Sequence, residues 1–187
     1  MNEDIKKAIE VLRKGGVILY PTDTIWGIGC DATNSAAVKR IYEIKHREEN
    51  KAMLVLLDSM TELDKYVDNI PSMAYDLNEL SEKPITIIYN NVTGVAPELL
   101  GDNHSVGIRI SREPFTQELC RQLRRPIVST SANVSGAPSA AFFAEISDEI
   151  KQAVDYIVSY RQDDTTPHQP SSVVMLSPDN VVKILRP

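Results

Sequence analysis

Short apolar runs recur along the chain at unequal spacings. Val17–Tyr20, Met53–Leu57, Ile85–Tyr89, Pro126–Thr130, Asp155–Val158, Ser171–Met175 and Val181–Leu185 each have the length and β-rich composition of a strand, and Ser105–Ser111 alternates like one. A parallel pair needs a crossover of about a dozen residues or more, whereas an antiparallel pair closes with a short turn. Several of these runs lie too close together for a helical crossover, while others are separated by amphipathic segments. The pattern therefore predicts an α/β protein with a mixed, twisted sheet and flanking helices.

The helical segments are marked by their ends. Asn2 is placed to cap a helix over about 3–14, with Ile5, Ile9 and Leu12 on one face and Gly15-Gly16 after it. Asn34 or Ser35 caps a second helix reaching about Lys45, with Ala37, Val38, Ile41 and Tyr42 inward. Asp58 or Ser59 starts a short helix, and further helices are expected over 71–80, 113–124 and about 140–152. At 187 residues without repeat or linker, the chain reads as one domain spanning 1–187.

Composition excludes several classes. A formal charge of −6 argues against a charge-driven grip on nucleic acid by the whole surface. No apolar run approaches the ~20 residues that span a bilayer, and the N-terminus lacks the basic-then-apolar pattern of a signal peptide, which points to a cytoplasmic protein. Cys30 and Cys120 form no CxxC pair and no zinc spacing with the histidines, so they read as reduced, structural thiols and no metal site is expected.

Three stretches carry chemistry. In YPTDTIWGIGCDA (residues 20–32), Pro21 ends a strand, Thr22-Asp23-Thr24 presents two hydroxyls and a carboxylate, and Gly27 and Gly29 let backbone approach another group closely. The bland alternative is a strand–turn–strand in which these side chains bond only their own backbone. In SVGIRIS (105–111), Ile108 and Ile110 share one face and Arg109 takes the other, so a lone arginine projects from a strand made for burial. It calls for an anion, either a ligand or a structural carboxylate. In STSANVSG (129–136), Ser131, Asn133 and Ser135 recur at period two beyond a strand, as an anion or ribose binder or as a turn and cap. Between them, Lys39, Arg40, Lys45, His46, Arg47 and Lys51 crowd a helix C-terminus, where cations are also favoured by the dipole alone.

There is no GxxxxGK[ST] phosphate loop, no complete dinucleotide fingerprint and no GxSxG. Phosphate would have to be met by isolated cations and hydroxyls, which suits charge neutralisation at phosphorus. The blocks YPTDTIWGIGCDA, Lys45-x-Arg47 with Lys51 following, VGIRIS, STSANVSG, QPSSVV and ILRP together resemble, in this order, the YrdC family of L-threonylcarbamoyladenylate synthases. The resemblance covers about Gly16 to Arg186. It implies a mixed sheet curled around a deep cavity. The implied reaction turns L-threonine, bicarbonate and ATP, the last with Mg2+, into threonylcarbamoyl-AMP and pyrophosphate, for transfer proteins that modify tRNA.

Residue by residue, the resemblance implies that Lys45, Arg47, Ser131 and Asn133 form the catalytic cluster. Thr24, Arg109 and Ser171 would meet threonine, and Lys45, Arg47, Lys51, Ser129, Ser139 and Arg186 would meet ATP. The chain departs from the family pattern at Ala52 and Ser81-Glu-Lys-Pro84, changes that touch the cavity wall and not the cations, and at Trp26 and Ser111, which are tolerable. The rival reading is a double-stranded RNA or nucleotide binding module of the same fold, with Lys39, Arg40, Lys45, Arg47 and Lys51 on phosphates, or a weak RNA contact beside the synthase activity.

Overall fold

The computed structural model describes residues 1–47 and 52–187. Its strands are β1 (Ile18–Tyr20), β2 (Gly27–Gly29), β3 (Leu54–Leu57), β4 (Ile85–Tyr89), β5 (Val106–Ile110), β6 (Ile127–Ser131), β7 (Tyr156–Ile157), β8 (Ser172–Leu176) and β9 (Val182–Arg186). The helices are α1 (Asn2–Arg13), α2 (Ser35–Ile44), α3 (Met60–Leu63), α4 (Ser72–Leu80), α5 (Pro114–Leu123) and α6 (Asp148–Ala153). The strands join in one sheet, ordered β7-β1-β2-β6-β3-β5-β4-β8-β9. β7/β1, β3/β5 and β4/β8 are parallel and the other neighbours antiparallel, as the uneven spacing of the apolar runs requires.

Both faces of the central strands are covered, which is why these read as unbroken apolar runs, whereas the edge strand β9 is exposed along its length. Ile18, Tyr20, Leu56 and Ile127 pack with Ile5, Leu12, Phe115 and Leu119 from α1 and α5. Val17, Leu19, Val55, Leu57, Val128 and Ile108 face the other way, against Val38, Ile41, Leu63 and Ala74 from α2, α3 and α4. On the α1/α5 face, register sets Tyr20 opposite Gly27, Gly27 opposite Ser131, Ser129 opposite Leu54, and Leu56 opposite Arg109. The side chains of this face thus change from large and apolar at one end to small and polar at the other. That change opens the cavity.

Three local expectations are revised. Asn2 lies inside α1, whose N-cap is Met1. Gly27–Gly29 is a strand, so 20–29 has the strand–turn–strand backbone, but its side chains do not bond only their own backbone, since Asp23 meets Arg109. The helix expected over 140–152 is a 3-10 turn (Phe143–Glu145) followed by α6, which Ser147 caps by accepting from Ile150 N. Phe143 leaves the helical path to lie on Trp26, ring centroids 4.9 Å apart. Contact of the half-buried Phe143 ring with the buried Trp26 ring outweighs the weak propensity of a short segment. Cys30 and Cys120 are free and buried, and burial pushes both thiols up. No helix of the described residues is long and apolar enough to cross a membrane.

Candidate active site

A cavity of about 220 Å³ opens at the polar end of this face, lined by side chains from the β1–β2 turn, β5, β6, the start of β8 and the end of β9. It brings together Thr24, Arg47, Arg109, Ser129, Ser131, Ser139, Ser171 and Arg186, eight of the eleven residues singled out from the sequence. Trp26, Gly27, Met53 and Leu54 complete much of the wall. Lys51 lies outside the described residues. Lys45 and Asn133 stand behind the lining.

The β1–β2 turn is ordered by its own hydroxyls. Thr22 Oγ1 donates to Ile25 O (2.8 Å) and accepts from Thr24 N (3.1 Å). With its single proton used, the 3.0 Å contact between the two hydroxyls must be donated by Thr24, which leaves the Thr24 oxygen able to accept from a ligand. Gly29 serves the close approach expected of it. A Cβ there would stand 2.5 Å from Val128 O and 2.6 Å from the Tyr20 ring, so only glycine lets Tyr20 lie across β2.

Arg109 is 3% exposed, and its anion is Asp23, Nη2 to Oδ1 3.1 Å. The structural carboxylate considered from sequence is therefore present. The pairing is incomplete, because Asp23 Oδ1 and Arg109 Nε are buried without a hydrogen bond, so the pair is close but poorly aligned. Burial lowers the guanidinium's pKa, partly offset by Asp23. A buried guanidinium with unmet donor capacity, facing a cavity, is suited to a second carboxylate.

At the opposite wall the chain leaves α2 through a Schellman turn. Arg47 N bonds Tyr42 O (2.9 Å) and His46 N bonds Glu43 O (3.0 Å), with His46 at φ 47° in the position where glycine is usual. The helix thus ends at Lys45 as the sequence suggests, although the next step is a left-handed turn and not extended chain. This turn sends Arg47 into the cavity lining and Lys45 inward. Lys45, 1% exposed, donates from Nζ to the backbone carbonyls of Ser131 and Asn133, the latter at 2.6 Å, while its own carbonyl accepts from Ser135 N at 2.9 Å. Burial, with repulsion from Arg47, pushes its ammonium down to about 8. Arg47 Nη2 donates to Ala52 O at 2.8 Å.

Past Ser131 the strand ends and the period-two row breaks. Asn133 turns its amide onto Val134 O (2.9 Å) and Ala137 O (2.7 Å), so the turn reading holds for Asn133 while Ser131 stays in the lining. Ser171 Oγ bonds Thr86 Oγ1 (2.8 Å), and its carbonyl accepts from Arg186 Nε (2.9 Å). Arg186 reaches it through a bulge: Val174 faces Ile184 but Val173 faces Arg186, so one extra residue re-aims the arginine. Sequence gives Thr86 no role, because a lone hydroxyl inside an apolar strand carries no spacing signal that marks it, and it places Asp23 in the turn without Arg109 as its partner.

Among the described lining residues there are three arginines and no carboxylate. The donor set does not fit a resident divalent cation, and magnesium would reach such a site only on the ligand's own phosphates. Of the basic row read as an RNA contact, only Lys39 and Arg40 are surface side chains away from the cavity among the described residues, to which Lys51 does not belong. Lys39 pairs with Glu98 and Arg40 with Asp155, Lys45 is buried, and Arg47 joins the cavity.

Such a sheet, with arginines and hydroxyls converging at its polar end, defines a mixed α/β protein with a cationic cavity. The chain belongs to the Sua5/YciO/YrdC family, whose model, described as "Telomere recombination", matches residues 10–187. It is 33% identical over 172 residues to a threonylcarbamoyl-AMP synthase of Pseudoalteromonas translucida (strain TAC 125), covering 90% of this chain and 91% of the relative. Its fold matches that of P. abyssi Sua5 complexed with L-threonine with a TM-score of 0.85 at 26% identity over 98% of this chain. The chain spans about half of that protein, 53%. It also matches E. coli YciO, with a TM-score of 0.83 at 28% identity over 100% of this chain and 89% of that one. The resemblance carried by the six motifs therefore holds for family and fold.

Proposed function

We propose that the chain is an L-threonylcarbamoyladenylate synthase. The observation that carries this reading is the make-up of the cavity: Arg47, Arg109 and Arg186 with the hydroxyls of Thr24, Ser129, Ser131, Ser139 and Ser171, and no carboxylate in the described lining. Such a site suits an amino acid carboxylate together with a polyphosphate. The threonine amine adds to bicarbonate, releasing water and leaving a carbamate. A carbamate oxygen then attacks the α-phosphorus of ATP, and the bond to the β-phosphate oxygen breaks as pyrophosphate leaves. Arg109 holds the threonine carboxylate by its fork, Thr24 and Ser171 bracket the amino acid, and Arg47 and Arg186 neutralise the phosphates. Lys45 fixes the Ser131 and Asn133 carbonyls and adds positive charge behind them.

The test is pyrophosphate release by purified protein given ATP, magnesium and bicarbonate. Release that requires threonine is the expected outcome, and the product is threonylcarbamoyl-AMP by mass. Release indifferent to threonine, or none, removes the reading.

A further inference from the structure

We propose that Arg161, a residue of the polar excursion before β8, is a positioning residue that ties the two sides of the amino acid subsite together. One side is the β1–β2 turn bearing Thr24. The other is the 164–171 segment, whose last two residues, Pro170 and Ser171, line the cavity. These sides are far apart in sequence, and Arg161 contacts both. Its Nη1 donates to Thr22 O at 3.2 Å and lies 3.7 Å from Glu113 Oε1, at the cap of α5. Its Nε and Nη2 donate to Asp164 Oδ2 at 3.0 and 2.7 Å, and Nη2 lies 2.9 Å from His168 Nε2. An arginine only donates, so His168 accepts there.

The consequence follows from connectivity. Thr22 carries the hydroxyl that orders Thr24, and His168 stands two residues before Pro170. Only a forked donor set reaches a carbonyl, a carboxylate and an imidazole from one side chain. The backbone supports the same reading, because Arg161 sits at φ 64°, a conformation unfavourable to a residue with a Cβ. A glycine there would be relaxed but would leave the Thr22 carbonyl and Asp164 without this link. Arg161 is not itself among the described lining residues, and its hydrogen bonds reach the lining through Thr22 and His168.

This inference rests on the amino acid subsite proposed above, and its test separates the two. Arg161→Gly keeps a permitted backbone and removes the fork. Expected are faster amide exchange over 164–171, threonine affinity lowered about tenfold by calorimetry, and ATP affinity little changed. Asp164→Asn, which weakens the link from the other end, should show the same pattern in milder form and carries the test if the glycine variant does not fold. Unchanged exchange over 164–171, or equal loss of threonine and ATP affinity, overturns the role of Arg161. Wild-type protein that binds no threonine overturns the subsite instead, while the exchange result still decides whether Arg161 anchors the segment.

Discussion

On the β5 wall Arg109 is buried beside a carboxylate, whereas at the end of β6 Lys45 is buried against two carbonyl dipoles. Both cations are nearly inaccessible, yet burial acts on them differently. A guanidinium stays charged in proteins, so Arg109 keeps its charge and Asp23 stays as its counter-ion. An amine can shed a proton, and burial, with repulsion from Arg47, pushes the Lys45 ammonium down to about 8 even though two carbonyls accept from it. One wall is therefore held by charge balance, and the other by hydrogen bonds that tie α2 to the turn after β6.

The largest expected effect breaks the first wall. Arg109→Met leaves the Asp23 carboxylate buried without its cation, and removing one partner of a buried pair costs about 3–5 kcal/mol. Urea unfolding should show this loss, and Asp23→Asn in the same chain should restore much of it. A loss below about 1 kcal/mol would place the pair with exposed salt bridges, which contribute little.

Arg47→Ala addresses the second wall without disturbing its clamp. Loss of one preorganised donor should reduce threonine-dependent pyrophosphate release by ~10²–10³, or ~3–4 kcal/mol, at an unchanged melting temperature. If Arg47→Ala stays active while Lys45→Met is inactive and equally stable, the phosphate charge rests on Lys45.

The pH dependence of stability sharpens the contrast further. Below about 8, Lys45 is protonated in both folded and unfolded chains, and the burial cost is present in full. Between about 8 and the ordinary lysine value of 10.5 the folded chain holds fewer protons, so stability should rise with pH. Relative to Lys45→Met, the wild type should gain about 1–3 kcal/mol across that window, measured by urea unfolding at pH 7, 8.5 and 10. A flat difference would mean that the ammonium keeps its proton.

Smallest is the discrimination between amino acids. Threonine exceeds serine by one methyl, worth ~1–3 kcal/mol or ~10–200-fold, so serine should be a poor substrate but not an excluded one. Valine should fare worse, because it leaves a hydroxyl partner at Thr24 or Ser171 unmet. Competition in which valine matches serine would move the hydroxyl contact elsewhere.

Much of this molecule follows from local sequence. Continuous apolar runs specify strands buried on both faces, Asn34 and Ser59 cap their helices, and the alternation of Val-Gly-Ile-Arg-Ile alone sets Arg109 opposite its neighbours. Eight of the eleven residues named from motifs line one cavity, Arg109, Ser129 and Ser131 from within strands by alternation and the others from turns and strand ends. Gly-Ile-Gly is too short to show a period, and the helix pattern after Gly136 yields to the contact of Phe143 with Trp26.

What only the tertiary structure decided depends on groups far apart in the chain. His46 in a left-handed turn separates Lys45 from Arg47, and the two carbonyls that receive the lysine lie 86 and 88 residues away. The bulge in β9 aims Arg186, and Arg161 reaches Thr22 across 139 residues. Periodicity and capping are set within one or two turns of chain, so they are legible in sequence. Which buried donor meets which acceptor is set by packing, after strand order has brought distant segments together.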